Sequence, residues 1–170
     1  TLAIVDVLGL SREQAAKALS KFTGTGRRFV LRGEANGVSV FDDYAHHPTE
    51  IKATLAGARA RYPERRIWAV WQPHTYSRTQ ALYLEFSRAF KDADEVIVTE
   101  VYAAREPKQE FTSAEIVSGM PHPSARYLAT LPQVTDYLLK NLHPNDVLIV
   151  LSAGDADQIC ADVLKALKER

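Results

Sequence analysis

The chain has 170 residues, 46% of them hydrophobic and 25% charged, as expected for one globular domain with a packed core. A formal net charge of zero gives no basic field for nucleic acid, and no apolar run is long enough to span a membrane. The single cysteine, Cys160, excludes an internal disulfide and fits a reducing compartment.

The first segment lacks an initiator methionine and is apolar from its first residues to Gly9, as at the end of a helix whose partner surface is missing. We therefore expect a fragment of a longer protein. Ser11 then predicts the N-cap of a second helix, with Gln14 completing a capping box. Apolar residues recur on one face of that helix at Ala15, Ala18, Leu19 and Phe22. Gly24-Thr25-Gly26 should end it and act as a hinge.

The next segment predicts a β-hairpin, because Asn36-Gly37 separates two apolar runs, Phe29–Leu31 and Val38–Phe41. Beyond Asp43, strands alternate with helices. The strands fall at 67–71, 96–99, 126–128 and 147–151, and the helices at 48–62, 79–91, 113–118, 131–142 and 156–167. This alternation predicts an α/β fold, a Rossmann-like three-layer α/β/α sandwich. About six strands are expected, mostly parallel, with one antiparallel strand from the N-terminal hairpin.

Polar loops follow four of the predicted strands, whereas the loops at the opposite ends are plainer. The four loops are Asp42–His47, Gln72–Thr79, Glu100–Glu106 and Ser152–Asp155. In open α/β sheets ligands bind at the carboxyl ends of the strands, so the sequence predicts a site at this edge.

The first of these loops offers two kinds of chemistry. Asp42 and Asp43 can accept hydrogen bonds from the hydroxyls of a ribose, or one of them caps a turn. His46 and His47, with His74 as a third imidazole, suggest zinc, but such sites need three or four ligands at suitable spacing. Substrate contact, or an imidazole held by a backbone carbonyl, is the favoured interpretation.

Arginines provide the remaining charge. Arg78, placed just before a predicted helix, suits a carboxylate or a phosphate, and its alternative is a surface salt bridge with Glu85 or Glu50. Arg27 and Arg28 follow the glycines of the predicted hinge, from which they could reach a phosphate, although no P-loop motif occurs in the chain.

The turn after the last predicted strand has two interpretations. The small residues of Ser152–Asp155 suit close backbone approach to a ligand, or they form a plain strand-to-helix turn that Ser152 or Asp155 caps.

Three stretches resemble the C-terminal domain of the Mur ligase family of peptidoglycan biosynthesis. They read FTGTGRRF at 22–29, DDYAHHPTE at 42–50 and QPHTYSRT at 72–79, and segments 100–104 and 152–155 fall where the family has related ones. The family has an N-terminal domain that holds a UDP-sugar, a central domain with a P-loop, and a C-terminal Rossmann-like domain. The resemblance implies that residues 1–22 are a remnant of the central ATP-binding domain and that 23–170 form the C-terminal domain.

The resemblance also implies an activity. A cytoplasmic ATP-dependent carbon–nitrogen ligase of cell-wall synthesis would join L-alanine to UDP-N-acetylmuramate through an acyl phosphate, and this fragment alone would be inactive. ATP and Mg²⁺ would be its cofactors, held mostly by the missing central domain, and the missing domains of the same chain its partners, with no nucleic acid and no membrane. A sister ligase that adds a tripeptide, a nucleotide-binding module without catalysis and an interaction domain are the alternatives.

By resemblance, Arg28 and Asp43 would contact ATP, with Asp43 at the ribose. The amino-acid side would be lined by Tyr44, His46, His47 and Arg78, with Arg78 on the carboxylate. The wider cleft would include His74, Tyr76, Tyr102, Ser152 and Asp155, with no metal ligand and no certain catalytic residue.

Two positions depart from the family pattern. Thr75 stands where some members have a second arginine, so recognition of the carboxylate would rest on Arg78 alone. Ser152 stands where a glycine is common, which puts close backbone approach at this turn in doubt.

Overall fold

A computed structural model of the chain describes residues 2–21 and 26–169. Its elements are α1 (Leu2–Val7), α2 (Arg12–Leu19), β1 (Val30–Ala35), β2 (Val38–Asp43), α3 (Pro48–Arg61), β3 (Ile67–Trp71), α4 (Tyr76–Ala81), α5 (Tyr83–Ser87), β4 (Glu95–Val98), α6 (Ser113–Ser118), β5 (Ala125–Tyr127), α7 (Leu131–Asn141), β6 (Val147–Leu151) and α8 (Gln158–Lys168).

The six strands form one sheet in the order β1-β2-β6-β3-β4-β5. β1 and β2 are antiparallel, and every other neighbouring pair is parallel. The predicted fold class is therefore confirmed. Asn36 and Gly37 join β1 to β2 with φ of 48° and 75°. Positive φ at both central residues is what the tightest hairpin turn requires, and it explains the Asn-Gly pair.

Helices cover both faces of this sheet and make the three layers. One face packs against α3, α5 and α6 around Trp71 and Phe86, whose rings stack at 4.5 Å between centroids. The other packs against α7 and α8 around Trp68 and Leu138. All residues of β2, β3 and β6 are buried, because these strands lie inside the sheet and are covered on both sides.

Two predicted boundaries are wrong in ways that matter for the site. The helix predicted at 79–91 is two short helices, α4 and α5, interrupted at Leu82 with φ of −110° and ψ of 25°. Arg78 consequently lies inside α4 rather than before a helix. Asp42 and Asp43 belong to β2 rather than to a loop, because both are in register with residues of β6.

The N-terminal segment forms α1 and α2. Ser11 caps α2 by accepting a hydrogen bond from the Gln14 N–H at 3.3 Å, as predicted, but the Gln14 side chain does not complete the predicted capping box. The apolar stripe of α2 contains no buried residue. Phe22 and two residues of the predicted hinge, Gly24 and Thr25, lie outside the described residues. Within the described ranges, no helix combines the length and apolarity needed to cross a membrane.

Candidate functional site

The carboxyl ends of β2, β3, β4 and β6 meet at one edge of the sheet. Trp71 is in register with both Leu151 and Val98, and Asp43 with Leu151. The four polar loops therefore leave the sheet side by side, which confirms that they share one edge.

The charge at the centre of this edge is Arg27. Its Nε and Nη2 donate to the two carboxylate oxygens of Asp42 at 3.0 and 3.2 Å, and Nη2 also donates to the Ser152 carbonyl at 2.9 Å. Asp42 is completely buried. The backbone of Arg27, at φ of 56°, accepts a hydrogen bond from the Tyr44 N–H at 2.7 Å. Arg27 thus fastens the segment before β1 to the ends of β2 and β6.

Asp43 forms a second anchor. Its carboxylate accepts hydrogen bonds from the backbone N–H groups of Phe29 and Ala45 at 2.8 and 2.7 Å and from the Thr54 hydroxyl at 3.2 Å. Burial raises the pKa of the Asp43 carboxyl above its ordinary value despite these donors. A carboxylate has about four acceptor positions, so by count one is left, although Asp43 as a whole is only 4% exposed.

Glu50, in the first turn of α3, accepts hydrogen bonds from several residues around it. Its Oε2 accepts from the backbone N–H groups of His46 and His47 at 3.0 and 3.2 Å, and its Oε1 lies 3.4 Å from Arg28 Nη1. The side chain of Arg28 is 51% exposed and makes no other hydrogen bond or ion pair with the described residues. Although burial opposes the change, these donors and the neighbouring His46 lower the pKa of Glu50.

The two adjacent histidines have different surroundings. His47 is the N-cap of α3, and its Nδ1 accepts from the Thr49 N–H at 3.3 Å. His46 Nδ1 lies 3.0 Å from the Tyr44 carbonyl oxygen. Because a carbonyl only accepts, this contact places the proton of a neutral imidazole on Nδ1 and leaves Nε2 as an acceptor.

Four rings, of which Tyr44 and Tyr102 are exposed and His46 and His74 half-buried, extend this site across the sheet edge. The ring of Tyr44 contacts that of His46 at 5.4 Å, His46 lies 6.3 Å from His74, and His74 lies 5.6 Å from Tyr102. Burial, and then the charge of Arg78, lower the pKa of His74, so its imidazole is neutral at pH 7. The four rings form a row from the end of β2 to the loop after β4.

Arg78 is a half-buried cation at this edge that makes no ion pair with the described residues. Its Nη1 is buried and donates no hydrogen bond within the described part of the chain. The salt bridges considered for it, with Glu85 or Glu50, are not formed, because Glu50 pairs with Arg28 and His46 instead. A buried guanidinium N–H without an acceptor is costly, and an anionic ligand would satisfy it.

Side chains of the protein itself occupy the space at the turn after β6. Gln72 accepts from the Ser152 hydroxyl at 2.7 Å and donates to the Asp155 carboxylate at 2.7 Å. Ser152 is completely buried, and neither it nor Asp155 caps α8. Of the other cleft residues, Tyr76 is buried within α4, whereas Tyr102 is exposed. Gly154 lies beneath Tyr102, so the small residue serves packing here.

Gly154→Ala should destabilise the chain. A Cβ at this position would lie 2.5 Å from Gln72 Oε1 and 2.7 Å from Tyr102 Cγ. Such overpacking typically costs about 1–3 kcal/mol, which thermal unfolding measures. Gly57→Ala is the matched control, because nothing lies within 4 Å of its Cβ position in α3. That variant should gain roughly 0.5–1 kcal/mol from helix propensity, and equal losses in both variants would contradict the packing argument.

The sequence suggested that Arg27 could reach a phosphate, whereas in the structure its guanidinium binds Asp42 and the Ser152 carbonyl. Three other residues of this edge were not predicted as site residues: Gln72 and Glu50 organise the turns, and Glu106 accepts two hydrogen bonds from Ser77. Position at a strand end would have suggested Gln72. The described residues contain no group of three or more His, Cys, Asp or Glu side chains that could hold a metal ion.

Comparisons with known proteins agree with one another. The family described as Mur ligase, glutamate ligase domain, matches residues 27–154. The UDP-N-acetylmuramate–L-alanine ligase of Trichormus variabilis is 42% identical over 99% of this chain and 35% of its own length. That of Acetivibrio thermocellus is 44% identical over 97% of this chain and 36% of its own length. The chain thus spans about 35% of the length of these relatives.

Solved structures give the same result. The UDP-N-acetylmuramate–alanine ligase of Thermotoga maritima superposes on 99% of this chain with a TM-score of 0.75 and 27% identity, over 36% of its own length. The murein peptide ligase of Psychrobacter arcticus does so on 99% with a TM-score of 0.77 and 28% identity, over 35% of its length.

Proposed function

We propose that this chain, which belongs to the Mur ligase family through its glutamate ligase domain, is the part of an ATP-dependent ligase that contacts the nucleotide and the amino acid. The ligase would join L-alanine to UDP-N-acetylmuramate in the cytoplasm. The observation that carries this proposal is Arg78, whose buried Nη1 lacks an acceptor at the ligand edge of the sheet. The carboxylate of an amino acid matches it in charge and geometry.

On the amino-acid side, Arg78 would grip the carboxylate of L-alanine. Next to it, His74 is kept neutral, so it adds no competing charge. His46 Nε2 is an acceptor that can orient the attacking amine and take up its proton, since Nδ1 faces the Tyr44 carbonyl. Tyr44 and His47 are exposed beside it and would complete the wall of the pocket.

On the nucleotide side, the residues present fit ATP at two points. Arg28 presents an exposed guanidinium suited to phosphates, and Asp43 keeps one acceptor position for a ribose hydroxyl. When bound, ATP supplies the phosphoryl group that activates the carboxylate of the sugar nucleotide. Mg²⁺ would accompany the phosphates of ATP, which hold it together with one or two carboxylates in such sites, and we propose that the other domains of the ligase provide most of its site.

Kinetics of the full-length ligase test this function. Phosphate release should require UDP-N-acetylmuramate, L-alanine and ATP together. The 170-residue chain alone should release none, because it contains no P-loop motif. Turnover by the chain alone, or release from the full-length protein that ignores L-alanine, would refute the proposal.

A tripeptide is the second candidate substrate, favoured by the similarity to a murein peptide ligase. The same assay decides between them when L-alanine is replaced by a tripeptide. The relatives of 42–44% identity are named as alanine ligases, so we expect L-alanine to support the higher kcat/KM.

Asp43→Asn in the full-length ligase should raise the KM for ATP about fivefold, a loss of roughly 1 kcal/mol, because an amide oxygen remains a partial acceptor. The KM for L-alanine should stay near its wild-type value. Asp162→Asn, an exposed position on α8, is the control. An unchanged KM for ATP would remove Asp43 from the ribose site and leave only its role as an anchor of Phe29 and Ala45.

A further inference from the structure

The helix that carries Arg78 lacks a cap of its own. α4 spans only Tyr76–Ala81, and its N-cap, Thr75, has a φ of 67° and makes no side-chain capping bond. Short helices are marginal in isolation, and the N–H groups of a first turn need acceptors from elsewhere. The position of Arg78 consequently depends on what the rest of the chain provides.

A carboxylate from a distant loop provides it. Glu106, in the loop between β4 and α6, accepts a hydrogen bond from the Ser77 N–H at 3.1 Å, and its other oxygen accepts one from the Ser77 hydroxyl. Ser77 immediately precedes Arg78 on the helix. Glu106 therefore replaces the missing cap at the residue next to the unpartnered guanidinium.

The same loop forms hydrogen bonds with the segment around α4 at two further places, one before the helix and one within it. Before the helix, the Thr75 N–H donates to the Tyr102 carbonyl at 2.9 Å, and the Tyr102 N–H donates to the Pro73 carbonyl at 2.8 Å. One turn beyond Ser77, Gln80 Nε2 donates to Gln109 Oε1 at 3.2 Å. Residues 102–109 thus run alongside residues 73–80, and Glu106 is the charged contact between them.

We propose that Glu106 is a positioning residue that sets the orientation of Arg78 toward the carboxylate of the incoming amino acid. It acts by capping α4 from the loop after β4. This inference rests on the proposed function for its kinetic consequence, whereas the hydrogen bonds that join Glu106 to Ser77, the residue before Arg78, are observed in this chain.

The kinetic arm uses the full-length ligase. Glu106→Ala should raise the KM for L-alanine roughly tenfold, because a misplaced guanidinium loses its aligned hydrogen bonds, while the KM for ATP stays within about twofold. Glu106→Gln should remain close to wild type, since its amide oxygen still accepts from the Ser77 N–H. Glu110→Ala is the control: it removes an exposed carboxylate of the same loop that makes no hydrogen bond or ion pair with the described residues.

The spectroscopic arm uses the 170-residue chain labelled with ¹⁵N. The Nε–Hε signal of Arg78 should move in Glu106→Ala and stay in place in Glu110→Ala. If Glu106→Ala does not fold, Glu106→Asp replaces it in both arms, because it keeps the charge but draws the carboxylate back by one carbon.

The outcomes separate the two claims. An Arg78 signal unmoved by loss of Glu106, or equal KM changes for L-alanine and ATP, would overturn the positioning role. Absence of alanine-dependent turnover in the wild-type ligase would overturn the proposed function instead, and the spectroscopic arm would still decide whether Glu106 orients Arg78.

Discussion

Replacing Arg27 by methionine should lower the free energy of unfolding of this chain by about 3–5 kcal/mol, the usual cost of leaving one member of a buried ion pair alone. Asp42 is completely buried and would lose both hydrogen bonds from the guanidinium. The only other cation near it, within the described residues, is Arg32, whose Nη1 lies 3.8 Å away. Thermal and urea unfolding followed by circular dichroism measure the loss.

The neighbouring arginine gives the matched control. Arg28 is 51% exposed, and its one ion pair with a described residue is that with Glu50 at 3.4 Å. Arg28→Met should therefore change stability by about 0–1 kcal/mol, as exposed ion pairs do. Equal losses at both positions would show that the segment as a whole, and not the Asp42 pair, is responsible.

A double variant tests the mechanism of the loss. Arg27→Met combined with Asp42→Asn removes the uncompensated charge, so it should be more stable than Arg27→Met alone. If the double variant instead loses the sum of both single effects, the buried carboxylate is not the source of the instability. The carbonyl oxygens of Ser152 and Gly154, which Arg27 also contacts, would then carry the effect.

The contrast between Arg27 and Arg28 shows where sequence reasoning ends. The two residues are adjacent in the sequence and have side chains of the same charge and length. The resemblance to the Mur ligases predicted a ligand contact for Arg28. Their different roles follow from their partners, because Arg27 binds Asp42 of β2 and the Ser152 carbonyl after β6, whereas Arg28 lies against Glu50 of α3. Arg27 and Ser152 are more than 100 residues apart, and no local sequence pattern encodes such a contact.

The sheet was predictable for the opposite reason. β3 and β6 have the boundaries that their apolar runs predict, since a strand covered on both faces needs continuous apolar residues. The break at Leu82 was not predictable, because the apolar spacing from 79 to 91 fits one helix. The loop of Glu106 then determines where α4 lies, and with it where Arg78 points.

Arg78→Lys in the full-length ligase should raise the KM for L-alanine by roughly ten- to a hundredfold, about 1–3 kcal/mol, while sparing ATP. The guanidinium can bind a carboxylate through two parallel hydrogen bonds, whereas an ammonium keeps the charge and loses the fork. Thr75 supplies no second cation, and His74 is held neutral by burial and by Arg78 itself, so compensation should be poor.

The measurement is steady-state kinetics with each substrate varied in turn, and Arg105→Lys is the control. Arg105 is an exposed arginine of the neighbouring loop that makes no hydrogen bond or ion pair with the described residues, so its replacement should leave both KM values unchanged. A surface salt bridge at Arg78 would contribute about 0–1 kcal/mol and would not distinguish the substrates. Because Nη1 of Arg78 is buried without an acceptor, the structure favours the larger and selective effect. Equal small changes for L-alanine and ATP would remove Arg78 from the amino-acid site.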